Sequence, residues 1–123
     1  MNKFIPLIVF GVLLNACAQI ALKQGMRVIG IFSFSVENIL PILIKVSTNP
    51  FILAGLVCYA ISVIVWLMVL SRVEVSFAYP LLSIGYIVTA FAGYLFFNEN
   101  MGYARWAGVL IICLGVYLIT KTG

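Results

Sequence analysis

No charged side chain occurs between Phe4 and Leu22, between Pro50 and Leu70, or between Val75 and Phe97. A fourth apolar run, 103–120, is interrupted only by Arg105 near its start. A helix needs about 20 apolar residues to cross the hydrocarbon of a bilayer, so four such runs use up most of the 123 residues. Only 8% of the chain is charged and 65% is hydrophobic, whereas a water-soluble domain carries about a quarter charged residues. These features predict an all-α integral membrane protein. It would be a single transmembrane domain over 1–123, a four-helix bundle with spans at about 4–22, 50–70, 75–97 and 103–120.

The ends of the spans follow from local chemistry. Pro6 falls in a first turn, where a missing N–H costs little. Asn49 suits an N-cap and Pro50 the first helical position. The segment 31–48 is divided by Glu37, Pro41 and Lys45, yet Val36, Ile39, Leu40, Leu43 and Ile44 recur at helical spacing. That pattern fits a short helix or ordered loop at the membrane interface; an extension of the second span is the competing reading. The first 18 residues have the outline of a secretory signal, but the apolar run passes Cys17 and continues to Leu22, as in a retained first helix. Very short loops around Val73 and Asn98 make consecutive helices antiparallel neighbours. Lys3, Arg72 and Lys121 then share one side, and Lys23, Arg27, Lys45 and Arg105 the other, which gives almost no positive-inside bias.

The net charge of +4 is scattered singly between apolar runs. It points to lipid headgroups as partners rather than nucleic acid. Cys17, Cys58 and Cys113 form no CxxC pair, and the chain has neither His nor Asp. No metal site, disulfide framework or cofactor is expected. No nucleophile–base pair emerges either, so the sequence does not read as an enzyme.

Polar groups inside spans are costly in hydrocarbon and mark candidate sites. Asn15, Gln19 and Lys23 fall at i, i+4 and i+8 and share one helical face. They fit an anionic or hydroxylated substrate; hydrogen bonding between helices is the alternative. In the third span Tyr79, Ser83 and Tyr86 lie close to one face beside Pro80 and Gly85, a candidate hinge, with a static proline kink as the alternative. Glu99 and Arg105 flank the last loop and would neutralise each other, frame a headgroup site, or simply be solvated. Ala104, Gly108 and Gly115 share a face of the fourth span and suit close helix packing, here a candidate dimer interface.

Four short spans in a chain of this size resemble the small multidrug resistance family of the drug/metabolite transporter superfamily. Ser76-Phe77-Ala78-Tyr79 before Ser83-Ile84-Gly85 and the run from Trp106 to Val116 carry that likeness. Asn15 stands where the multidrug branch has a glutamate, and Leu82 where it has a tryptophan, which points away from proton-coupled drug export. The chain is more similar to the aminoarabinose-phosphoundecaprenol flippase subunits. They share Gln19-Ile20-Ala21-Leu22-Lys23-Gln24, Trp66-Leu67-Met68-Val69-Leu70, Ala78-Tyr79-Pro80-Leu81-Leu82-Ser83, and Glu99 followed by Arg105-Trp106-Ala107-Gly108. The segment 31–48 looks like an insertion.

This resemblance implies a flippase in the bacterial inner membrane. It would work as a homo- or heterodimer with a similar four-helix chain and move a polyprenyl-phosphate-linked sugar or aminosugar between leaflets. Asn15, Gln19, Tyr79, Ser83 and Tyr86 would meet sugar hydroxyls, Lys23 and Arg105 the phosphate, and Glu99 an amino group. The alternatives are export of a small cation, polyamine or drug, and a non-transporting accessory subunit of a glycosyltransferase.

Overall fold

The computed structural model describes residues 2–30 and 35–123. A 3-10 turn at Asn2–Phe4 leads into α1, Ile5–Ile29; then come α2, Val36–Thr48, and α3, Pro50–Leu70. A broken helix follows, with α4 at Val75–Ala78, a 3-10 turn at Tyr79–Leu82 and α5 at Ser83–Phe96, before α6 at Tyr103–Thr120. No strand occurs among the described residues. Four helical segments, Asn2–Ile29, Pro50–Leu70, Val75–Phe96 and Tyr103–Thr120, are long and apolar enough to span a membrane. The chain is an all-α, multi-pass membrane protein.

Helix α1 runs seven residues past Leu22, the last residue of its apolar run. Lys23 and Arg27 end the hydrophobic stretch but have no reason to break a helix, because lysine and arginine are good helix formers. Termination falls instead at Gly30, whose φ of 87° is left-handed and whose N–H returns to the Met26 carbonyl at 2.8 Å. The extra turns carry Lys23 on a rigid helix rather than on a loop. The third span shows the opposite departure. Pro80 lacks an N–H to continue the α-helical ladder, and the backbone tightens into the 3-10 turn for four residues before α5 resumes.

Helix α1 is the axis of the bundle, with its most extensive contact to α3 and a second to α5. Lipid gives no hydrophobic drive for helices to associate, so small residues that let backbones approach decide the packing. Gly11, Ala18 and Gly25 recur every seventh residue along α1 and all are buried. A Cβ on Gly11 would meet Val65 at 3.0 Å, and one on Gly55 of α3 would meet the Ala18 carbonyl at 3.0 Å. Asn49 locks one end of this seam. Its Oδ1 accepts from the Phe51 and Ile52 N–H groups at 2.9 and 3.2 Å, capping α3, and its Nδ2 donates to the Gly25 carbonyl at 3.5 Å.

At the other end Ile8, Val12, Val69, Val73, Phe77, Ala78 and Leu81 form the buried core. Gly123 lies against Asn2 and Phe77, so both termini sit at this closed end. Helix α2 buries no residue and stands off the bundle with Val36, Ile39, Leu40, Leu43 and Ile44 exposed. Of the four spans, α6 is packed least: only Val109 is buried, and nothing among the described residues lies within 4 Å of where a Cβ on Gly108 or Gly115 would be. Ala104 on the same face is exposed. Three elements thus close the terminal end, while the Lys23 end is left open.

Candidate functional site

The open end holds a cavity of about 410 Å3 lined by Gln19, Ile20 and Lys23 from α1, Tyr86, Thr89, Ala90 and Gly93 from α5, Phe97, Glu99 and Met101 from the last loop, and Arg105 from α6. Five of the residues singled out in the sequence therefore converge: Gln19, Lys23, Tyr86, Glu99 and Arg105. They come from three helices and a loop, so only the tertiary fold assembles them.

Charge arrangement in the cavity differs from the simplest sequence expectation. Glu99 does not pair with Arg105 across the loop. Its Oε2 lies 3.9 Å from Lys23 Nζ, on the opposite wall, with the two side chains 43% and 52% exposed. Arg105 instead donates from Nη1 to the Asn100 carbonyl at 3.2 Å. A pair this open to solvent is worth at most about 1 kcal/mol, so the loop needs other anchors. Asn98 adopts a left-handed φ of 54°, a conformation asparagine tolerates better than most residues. This turns the chain so that the Glu99 N–H reaches the Gly93 carbonyl at 3.0 Å. The Glu99 carboxylate then lies in the space left by the missing side chain of Gly93. The Arg27 guanidinium stands 5.1 Å from the centre of the Phe97 ring and fixes the start of the loop against α1.

Two smaller cavities extend the first toward the closed end. One of about 230 Å3 lies between α1 and α5 and is lined by Asn15, Gln19, Tyr86, Thr89 and Leu82 among others. The next, of about 240 Å3, is lined by Asn15, Tyr59, Ser62, Trp66, Tyr79 and Leu82 with Gly11 and Val63. Neighbouring cavities share lining residues: Gln19, Tyr86 and Thr89 line the first and second, Asn15 and Leu82 the second and third. From Asn15 to Lys23 the α1 stripe rises about 12 Å. The polar faces of the first and third spans meet in one cleft.

The polar groups of this cleft divide into two kinds. The Ser62 and Thr89 hydroxyls donate within their own helices, to the Tyr59 and Tyr86 carbonyls at 2.6 and 2.9 Å. Asn15, Gln19, Tyr79 and Tyr86 make no side-chain hydrogen bond among the described residues, and each lines a cavity. Ser83 is half-buried and lines none of these three cavities. The 3-10 turn separates Tyr79, in the third cavity, from Tyr86, in the first two. Pro80 sits inside that turn, whereas Gly85 packs against α1, where a Cβ would meet Val12 at 3.0 Å. Thr89 and Gly93 belong to the third span read from the sequence but were not among its candidate site residues. Thr89 was readable as one more polar residue on the helix-three face; Gly93 carried no signal, because its role depends on where Glu99 folds back.

Several proteins resemble the chain. It is 36% identical over 67 residues to a probable 4-amino-4-deoxy-L-arabinose-phosphoundecaprenol flippase subunit ArnE of Pseudomonas syringae, covering 54% of this chain and 62% of that one. It is 41% identical over 68 residues to a probable ArnF subunit of the same flippase from Shewanella sediminis, covering 54% and 47%. Over 120 residues it is 28% identical to the corresponding probable ArnF subunit of Proteus mirabilis, covering 89% and 85%. The chain thus spans under two thirds of the length of the first and second of these relatives. No solved structure matches it. Residues 25–121 match the profile of the EamA-like transporter family, and the chain belongs to that family.

Proposed function

We propose that the chain is a flippase subunit, a transporter rather than an enzyme, which carries a polyprenyl-phosphate-linked sugar or aminosugar across the bacterial inner membrane. The observation that carries this reading is the cleft that runs from the Lys23–Glu99–Arg105 cavity past Gln19 and Tyr86 to Asn15 and Tyr79. A lipid tail remains in hydrocarbon throughout, so the protein has only to shelter the headgroup. Lys23 and Arg105 attract the phosphate, Glu99 meets an amino group, and the unpaired Asn15, Gln19, Tyr79 and Tyr86 replace water around sugar hydroxyls. Ser83 reaches the headgroup only if the turn at Pro80 rearranges, and Pro80 with Gly85 is the hinge of that motion. The names of the relatives supply the sugar-lipid class.

A second copy or a similar chain completes the pathway through the Ala104, Gly108 and Gly115 face of α6, whose two glycines have no neighbour among the described residues. Helix α2 rests in the headgroup layer on its exposed apolar face. The test is translocation of a lipid-linked sugar by purified protein in proteoliposomes, run beside small cations and polyamines. Lys23→Ala and Gln19→Ala are each expected to abolish sugar-lipid transport with expression intact. Native rates in both variants would remove the site, and transport of cations alone would favour an exporter.

A further inference from the structure

The main cavity contains two cations, Lys23 and Arg105, and one carboxylate, Glu99, so its side chains sum to a single positive charge. Glu99 is held there by several features. Asn98 turns the loop, the Glu99 N–H is tied to the Gly93 carbonyl, and the absent side chain of Gly93 leaves room for the carboxylate beside Lys23. Tyr86 of α5 is the only other titratable side chain in the lining among the described residues.

We propose that Glu99 sets the charge of this cavity so that it favours a singly charged lipid phosphodiester over a doubly charged lipid phosphomonoester. This rests on the reading of the cavity as a headgroup site. A phosphomonoester carries about −1.5 to −2 at pH 7, a phosphodiester −1. The cost of taking an anion out of water rises with the square of its charge, while its attraction to a fixed site rises only in proportion. Against a net charge of one, the second negative charge adds no more attraction than the first but adds most of the dehydration cost. Glu99 also repels it directly, because any phosphate oxygen that reaches Lys23 must approach the carboxylate 3.9 Å away. The chemical consequence is discrimination between a lipid phosphate that bears a sugar and the bare lipid phosphate left when the sugar is removed.

The experiment uses two synthetic probes that differ only in this charge, a short-chain polyprenyl phosphate and its methyl phosphodiester. Their affinities for the full chain in nanodiscs are measured at pH 7.5 and low salt. The native protein is expected to bind the diester, and Glu99→Gln to shift the diester-to-monoester affinity ratio toward the monoester by about fivefold, the scale of one exposed charge pair. Glu99→Asp keeps the charge and is expected to keep the native ratio. Gly93→Ala, whose Cβ would meet the carboxylate, is expected to shift the ratio in the same direction as Glu99→Gln and stands in if that variant fails to fold. An unchanged ratio in both Glu99→Gln and Gly93→Ala overturns the charge inference and leaves the headgroup site standing. Failure of the native protein to bind either probe overturns both.

Discussion

Replacing Asn49 with Ala removes the side chain that hydrogen-bonds the start of α3 to the far end of α1. Asn49 is 8% exposed, so little water is at hand to take over its bonds. Two N–H groups of the first turn of α3 lose an acceptor, at 2.9 Å from Phe51 and 3.2 Å from Ile52. Loss of such a cap costs about 1 kcal/mol. The Gly25 carbonyl also loses its Nδ2 donor, but at 3.5 Å that bond is long, and its loss adds about 0.5 kcal/mol. The expected total is about 1.5 kcal/mol, roughly a tenfold change in the unfolding equilibrium. Asn49→Ser retains the capping oxygen and lacks only the donor, so it should lose about a third as much. Equilibrium unfolding in SDS–detergent mixed micelles, followed by circular dichroism, measures both. An alanine variant within about 0.3 kcal/mol of native, or a serine variant as damaged as the alanine one, would refute the assignment of this energy to the cap.

Two further perturbations separate the helix seams. Gly55→Leu must push its side chain into the Ala18 carbonyl and Leu22, and overpacking of this kind costs about 1–3 kcal/mol in the same unfolding assay. A Cβ on Gly108 would meet nothing among the described residues; Gly108→Leu is expected to leave monomer unfolding unchanged and to reduce dimer formation read by chemical cross-linking. Pro80→Ala restores a backbone donor to the 3-10 turn, and single-turnover translocation is expected to slow several-fold while probe affinity stays native.

Much of the fold was legible because the bilayer imposes one strong rule, a long apolar run for each crossing. The four spans follow from that rule, and the Asn49-Pro50 start of α3 follows from capping chemistry. The length of α1 did not, because hydropathy marks where lipid ends and not where a helix ends; Lys23 and Arg27 are hydrophilic yet helical. The Gly11, Ala18 and Gly25 seam has a period of seven that was open to inspection. It was hidden by the uniform hydrophobicity of α1, against which small residues show no amphipathic contrast. The face of α6, with two glycines, drew notice for close packing, and those glycines have no neighbour among the described residues. For the site, the i, i+4, i+8 stripe of α1 located one wall, since helical spacing is local. The partner of Glu99 was not legible, because it depends on the reversal at Asn98 and on an empty place beside Gly93, both products of the folded backbone.

The seam between α1 and α3 has a mechanical consequence. Where Gly55 meets the Ala18 carbonyl, and Gly11 and Gly25 face the side chains of Val65 and Ile52, sliding or rotation of one helix against the other closes these contacts within a few tenths of an ångström. Those two helices therefore behave as a stiff plank, and compliance in the bundle concentrates at the 3-10 turn of Tyr79–Leu82. Bending there swings Tyr86 and Thr89 relative to Asn15 and Gln19, so the width of the cleft is controlled from a turn whose own Tyr79 and Leu82 form part of its wall.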